Sequence, residues 1–184
     1  MKTKLKVGVL GATGAVGQRF VSLLKGHPWF QITQLKASSR SIGHSYGDAV
    51  TWRLPDQPWD EVKSIQVTPC RPTEELDLVF SGLPASEAET VEPMFRDAGI
   101  PVISNTRSHR MNPLVPLLIP EINAAHLELI QIQKKETGKS GYIVTNPNCS
   151  TIVLAMALAP LYRAYGIRKV MVTTAQAISG AGYT

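Results

Sequence analysis

Val7-Gly8-Val9-Leu10-Gly11-Ala12-Thr13-Gly14-Ala15-Val16-Gly17 is the stretch on which the fold turns. β-Branched apolar residues run into glycines spaced G-x-x-G-x-x-G, and a helix-forming segment, residues 15–25, follows. This order predicts a short buried strand, a tight turn and a helix start. Backbone without side chains lets amide N–H groups close on a pyrophosphate, and the helix N-terminus adds a dipole that favours negative charge. Gly11, Thr13, Gly14, Ala15, Val16 and Gly17 are therefore candidate cofactor-binding residues. A turn that only packs a helix on a strand needs similar glycines, but the position directly after the first strand favours phosphate binding.

Outward from this turn, short β-branched runs alternate with helical stretches, the pattern of parallel strands joined by crossover helices. Strands are expected at 5–10, 31–37, 64–68, 77–81, 101–104, 142–145 and 169–177, and helices at 15–25, 85–98, 124–135 and 150–165. Several strands are nearly continuous apolar runs, as strands covered on both faces should be. Residues 38–58, rich in Gly, Pro, Ser and Trp without a clear period, read as an excursion, and 105–116 as a second, polar loop. The fold class expected is α/β: a Rossmann-type doubly wound parallel sheet followed by the start of a further, α+β domain.

The chain has 184 residues, 43% of them hydrophobic and 18% charged, a globular balance rather than a disordered one. No run approaches the apolar length of a membrane span, and the opening residues carry no signal-peptide pattern, so a cytoplasmic location is expected, with no membrane partner. The net charge of +5 is spread along the chain rather than gathered in a stripe with aromatics, which argues against nucleic acid. The two cysteines, Cys70 and Cys149, form neither a disulfide framework nor a CxxC metal pair, so no metal is expected.

Two further segments bear on chemistry. The second strand ends Lys36-Ala37-Ser38-Ser39-Arg40, where an NAD-specific fold would carry a carboxylate for the ribose hydroxyls. Ser38, Ser39 and Arg40 offer hydroxyls and a guanidinium to an extra phosphate, so NADP is preferred; the alternative is that Arg40 sits on a solvated loop. In Thr145-Asn146-Pro147-Asn148-Cys149-Ser150-Thr151, Pro147 ends a strand, Asn148 caps a helix and Cys149 falls in its first turn. A thiolate there is favoured by the helix dipole and free N–H groups, which makes it a nucleophile; the alternative is a small buried hydrophobe. Cys70, between Pro69 and Arg71 with no helix behind it, reads as such a hydrophobe.

GATGAVG after the first strand, SNTRSHR in the middle, NPNCST at a helix start and TTAQAISGAG further on together resemble aspartate-semialdehyde dehydrogenase, in the branch of archaea, fungi and some bacteria. The resemblance covers essentially the whole chain. It implies NADPH-dependent reduction of aspartyl phosphate to aspartate semialdehyde and phosphate through a thioester on Cys149, in amino-acid biosynthesis. It also implies that Gln176 orients the substrate, that Asn105, Arg110 and Asn148 contact substrate or phosphate, and that Ser179, Gly180 and Gly182 lie beside the nicotinamide. Arg107 is close enough to Arg110 for their roles to be exchanged, and His109 reads as a loop residue rather than a catalyst.

On this resemblance, residues 1–147 form the NADP-binding domain and 148–184 begin a catalytic and dimerisation domain. Family members continue for as much chain again, carrying a histidine acid/base, a substrate-gripping arginine and glutamate, and most of a homodimer or homotetramer interface. A proton shuttle is typically worth about 10²- to 10⁴-fold in rate, so residues 1–184 alone are expected to bind NADPH weakly and turn over little. The alternatives are an acyl-coenzyme A reductase of the same architecture, such as malonyl-coenzyme A reductase, and a non-catalytic nucleotide-binding or redox-sensing module. N-Acetyl-glutamyl-phosphate reductase fits the cysteine segment less well.

Overall fold

The structure, a computed structural model, describes residues 3–175. Six strands, β1 (Leu5–Leu10), β2 (Phe30–Ala37), β3 (Val67–Pro69), β4 (Leu78–Ser81), β5 (Val102–Ser104) and β6 (Ile143–Thr145), form one sheet in the order β3-β2-β1-β4-β5-β6. Every pairing is parallel. This is the doubly wound order, in which the chain reverses direction across the sheet beside β1 and leaves a crevice at the carboxyl ends of the strands.

Alternation along each strand feeds two cores. Val7, Val9, Leu35 and Val67 pack with Val21 and Leu24 of α1 (Ala15–Leu24), together with Tyr46 of α2 (Tyr46–Ala49) and Val62 of α3 (Asp60–Lys63). On the opposite face Leu10, Val79, Val102 and Ile143 pack with Ala88 and Phe95 of α4 (Ala85–Asp97). Phe95 is fully buried, and burial of one such side chain stabilises by about 1.5–3 kcal/mol. The chain continues through α5 (Pro120–Asn123), a 3₁₀ turn (Ala124–Glu128), α6 (Leu129–Thr137) and α7 (Cys149–Tyr165).

Three features differ from the sequence reading. Residues 38–58 are not a bare excursion, because Ser45 caps α2 and Tyr46 is driven fully into the core, where its hydroxyl donates to Ala12 O at 2.9 Å. The helix expected at 124–135 divides into the 3₁₀ turn and α6, which ends at Gly138 with φ +66°, a left-handed cap. The strand expected at 169–177 does not form over 169–175, where the backbone takes no regular structure. A strand exists through its ladder, and no described strand lies beside these residues. None of α7 is buried, and it contacts α5, with Arg163 Nη2 donating to Ile122 O at 3.0 Å. Among the described residues, no helix is long and apolar enough to cross a membrane.

Candidate functional site

Backbone hydrogen bonds close the glycine turn. Gly11 and Ala12 donate their N–H groups to Lys36 O at 2.9 and 3.1 Å, and Gly14 N donates to Gly11 O at 3.0 Å. Gly11 has φ +72°, which an L side chain rarely adopts, and a Cβ there would stand 2.8 Å from Gly82 O. A Cβ on Gly17 would come within 2.1 Å of Gly11 O, so α1 can lie this close to the turn only without a side chain. Gly14 caps α1 with no side-chain hydrogen bond, and Thr13, Ala15 and Val16 stand partly or fully exposed around the helix mouth. A concave backbone cradle that a Cβ would fill, at a helix N-terminus, fits the pyrophosphate of a dinucleotide.

Ser38, Ser39 and Arg40 follow β2 on the surface, in a turn that Ser41 N closes onto Ser38 O at 3.0 Å. Because Lys36 O accepts the turn's first two N–H groups, these residues stand at the same crevice as Gly11 to Gly17. Gln18 went unnoticed in the sequence. It is buried, donates through Nε2 to Thr13 O at 3.0 Å and Thr51 O at 3.1 Å, and accepts from Arg53 N at 2.8 Å. Its place on the buried stripe of α1 with Gly17, Val21 and Leu24 was the signal that could have found it.

Beneath the turn, Lys36 is buried with Nζ 3.4 Å from Thr68 Oγ1 and 3.5 Å from Pro69 O. Burial pushes its ammonium below the usual lysine range, and the nearby Cys70 sulfur pulls it partly back. Burial pushes the Cys70 thiol up; the Gly11 N–H and Lys36 oppose this, and Glu87 adds to it.

A second cluster forms at the carboxyl ends of β5 and β6. Asn105 N donates to Ser81 O at 2.9 Å, Asn146 Nδ2 donates to Asn105 Oδ1 at 2.5 Å, and Arg110 Nη2 donates to Asn105 O at 3.2 Å. Arg110 Nε and Asn146 Oδ1 are buried without a hydrogen-bond partner in the structure. Burial lowers the Arg110 guanidinium from its ordinary range, and the Cys149 sulfur, as an anion, raises it again. Arg110 is thus the arginine that is partly buried and bonded to Asn105, whereas Arg107 is exposed.

Cys149 is exposed as the first residue of α7, and Asn148 caps that helix through its side chain, which accepts from Thr151 N at 2.7 Å. Gln176, Ser179, Gly180 and Gly182 lie outside the described residues. Among the described residues, no three His, Cys, Asp or Glu side chains gather as a metal site would require.

The glycine turn, Ser38–Arg40, Asn105 and Cys149 all follow the carboxyl ends of parallel strands and so share one edge of the sheet. At a strand spacing of about 4.8 Å, β6 is three steps, roughly 14 Å, from β1. The class so defined is a dinucleotide-binding α/β domain with an accessible thiol across its crevice. The family described as "Semialdehyde dehydrogenase, NAD binding domain" matches residues 6–130, and the chain belongs to it.

Among curated relatives, aspartate-semialdehyde dehydrogenase of Archaeoglobus fulgidus is 50% identical over 181 residues, 98% of this chain and 52% of the relative. The enzyme of that name from Cryptococcus neoformans is 49% identical over 188 residues, 99% of this chain and 52% of the relative. The chain therefore spans about half the length of the curated relatives it matches. Among solved structures, aspartate semialdehyde dehydrogenase with NADP from Candida albicans aligns with a TM-score of 0.82 at 41% identity, covering 90% of this chain and 48% of that one. Aspartate semialdehyde dehydrogenase II of Vibrio cholerae, complexed with ASA, aligns with a TM-score of 0.78 at 28% identity, covering 98% and 49%.

Proposed function

We propose that this chain is the cofactor-binding and nucleophile-bearing part of an NADP-dependent aspartate-semialdehyde dehydrogenase. The observation that carries the reading is the placement at one edge of the parallel sheet of the glycine cradle after β1, the Asn105–Arg110 pair after β5 and Cys149 at the start of the helix after β6. Relatives of that name, and a structural neighbour determined with NADP, support the choice of substrate and cofactor.

Gly11, Thr13, Gly14, Ala15, Val16 and Gly17 hold the pyrophosphate, and Ser38, Ser39 and Arg40 the additional phosphate of NADPH. The bound cofactor supplies hydride. The Cys149 thiolate, at the first turn of α7, attacks the acyl carbon of aspartyl phosphate. The carbon–oxygen bond to phosphate breaks, inorganic phosphate leaves toward Arg110 and Asn105, and a thioester remains on Cys149. After reduction of the thioester carbonyl, the hemithioacetal collapses, returning the thiolate and releasing the aldehyde. Asn148 fixes the start of the helix under the sulfur, and Gln176 orients the substrate beside it.

The activity belongs to a protein extending over the length of its relatives, which we read as a cytoplasmic homodimer or homotetramer. Residues 1–147 are its NADP-binding domain and 148–184 the opening of its catalytic domain; alone, the 184 residues are expected to turn over little. The test is phosphate dependence in the full-length enzyme. Oxidation of aspartate semialdehyde with NADP should require inorganic phosphate; a requirement for coenzyme A in its place would overturn the reading.

A further inference from the structure

One carboxylate near this site has no part in the chemistry above. Glu92 lies within α4 with its side chain fully buried, where a charge is costly unless it is paired. Its Oε1 accepts from Ser104 Oγ at 2.7 Å and from Thr106 Oγ1 at 3.4 Å. Ser104 Oγ in turn accepts from Thr106 N at 3.1 Å. The other oxygen, Oε2, stands 3.5 Å from His109 Nε2, an ion pair when the imidazole is protonated; both atoms are buried, and neither has a hydrogen-bond partner.

The placement of these partners is specific. Ser104 and Thr106 flank Asn105, and His109 directly precedes Arg110. One buried carboxylate therefore bonds to the loop on both sides of Asn105 and faces the residue before Arg110. Other holds on this loop are Asn105 N on Ser81 O, Asn146 Nδ2 on Asn105 Oδ1, Arg110 Nη2 on Asn105 O and Ser108 Oγ donating to Ala85 O at 2.8 Å; all but the last hold Asn105 itself, and none reaches the side chain of Ser104, Thr106 or His109. An imidazole that is only 13% exposed and aimed at a carboxylate is not an ordinary loop residue.

We propose that Glu92 and His109 are positioning residues for the phosphate group: they fix residues 104–110 so that Asn105 and Arg110 meet an anion beside Cys149. Neither touches the reacting atoms. This inference rests on the dehydrogenase reading above and adds two residues to its phosphate site. Its chemistry is geometric. Misplacing an anion-binding guanidinium by about an ångström weakens the complex of the one ligand it grips, and leaves a dinucleotide bound at β1 and β2 untouched.

The experiment compares wild type, Glu92→Gln, His109→Gln, His109→Leu and the Glu92→Gln/His109→Leu double variant of the full-length enzyme, oxidising aspartate semialdehyde. KM is measured for phosphate and for NADP, with Tm alongside. In Glu92→Gln and His109→Leu, KM for phosphate should rise about tenfold or more while KM for NADP stays within about twofold. His109→Gln, which keeps a donor for the carboxylate, should recover most of the loss. The double variant should be no worse than the poorer single, as coupled residues behave.

The proposal is overturned if His109→Leu leaves KM for phosphate within about twofold of wild type, or raises both KM values by one factor together with a fall in Tm. If Glu92→Gln does not fold, the His109 pair alone decides between these outcomes. Wild-type oxidation that needs no phosphate would instead remove the dehydrogenase reading and this inference with it; a phosphate-dependent wild type with unaffected variants removes this inference only.

Discussion

Replacing Gly17 by Ala puts a methyl group where the structure has no room. The new Cβ would stand 2.1 Å from Gly11 O and 2.7 Å from Ala12 Cα and Gly11 C. Ordinary contacts need about 3.5 Å, so the shortfall is roughly an ångström against three atoms, all of them backbone. No rotamer change relieves it; α1 and the turn must separate. Overpacking costs about 1–3 kcal/mol, and rigid neighbours place this case at the upper end. For a protein of this size each kcal/mol lowers Tm by about 2–4 °C, so a fall of about 6–12 °C is expected. The same separation opens the cradle, and NADPH affinity should drop by at least about tenfold. Thermal unfolding followed by circular dichroism, with a fluorescence titration of NADPH, reads both. A Tm within about 2 °C of wild type and an unchanged Kd would refute the close-approach argument.

Arg40→Ala should raise Kd for NADPH about tenfold, the worth of a charge-assisted hydrogen bond, and leave Kd for NADH unchanged; equal effects on both would remove Arg40 from the site. Asn148→Ala removes the bond to Thr151 N and should cost about 1 kcal/mol, seen as a lower urea midpoint with no change in slope. Cys70 gives a pH-dependent term of defined sign. Burial raises its folded pKa above the ordinary 9.0, so its contribution is fully present below that value and is lost as pH rises through the folded value. Lys36, lowered from 10.5, acts in the opposite sense, favouring the fold as pH rises through the window beneath that value. Cys70→Ala should therefore lose less stability than wild type as pH rises above 9.0 in denaturant titrations; identical slopes would contradict the assignment.

The parallel sheet was legible in the sequence because its strands are short apolar runs bounded by glycine, proline and polar turns. The first turn, the helix starting near Cys149 and its Asn148 cap were legible because each is a local pattern. What was not legible is what depends on distant partners. Tyr46 sits in a stretch with no period, and only the turn at Ala12, 34 residues earlier, gives it a place in the core. The Glu92–His109 pair joins a helix to a loop 17 residues on, and Glu92 on its own reads as one more acidic residue in an amphipathic helix. The strand expected at 169–177 has a strong β pattern, but no described strand lies alongside residues 169–175 to form its ladder. Local chemistry can thus be read from order alone, whereas pairing must be seen in space.

Acid quenching of the full-length enzyme during oxidation of aspartate semialdehyde with NADP, in the absence of phosphate, followed by peptide mass spectrometry, addresses the thiol chemistry itself. An aspartyl acyl group should be found on the peptide carrying Cys149, discharged when phosphate is added and absent in Cys149→Ser. Turnover with no acyl group on that peptide, or sustained activity in Cys149→Ser, would contradict the thioester route.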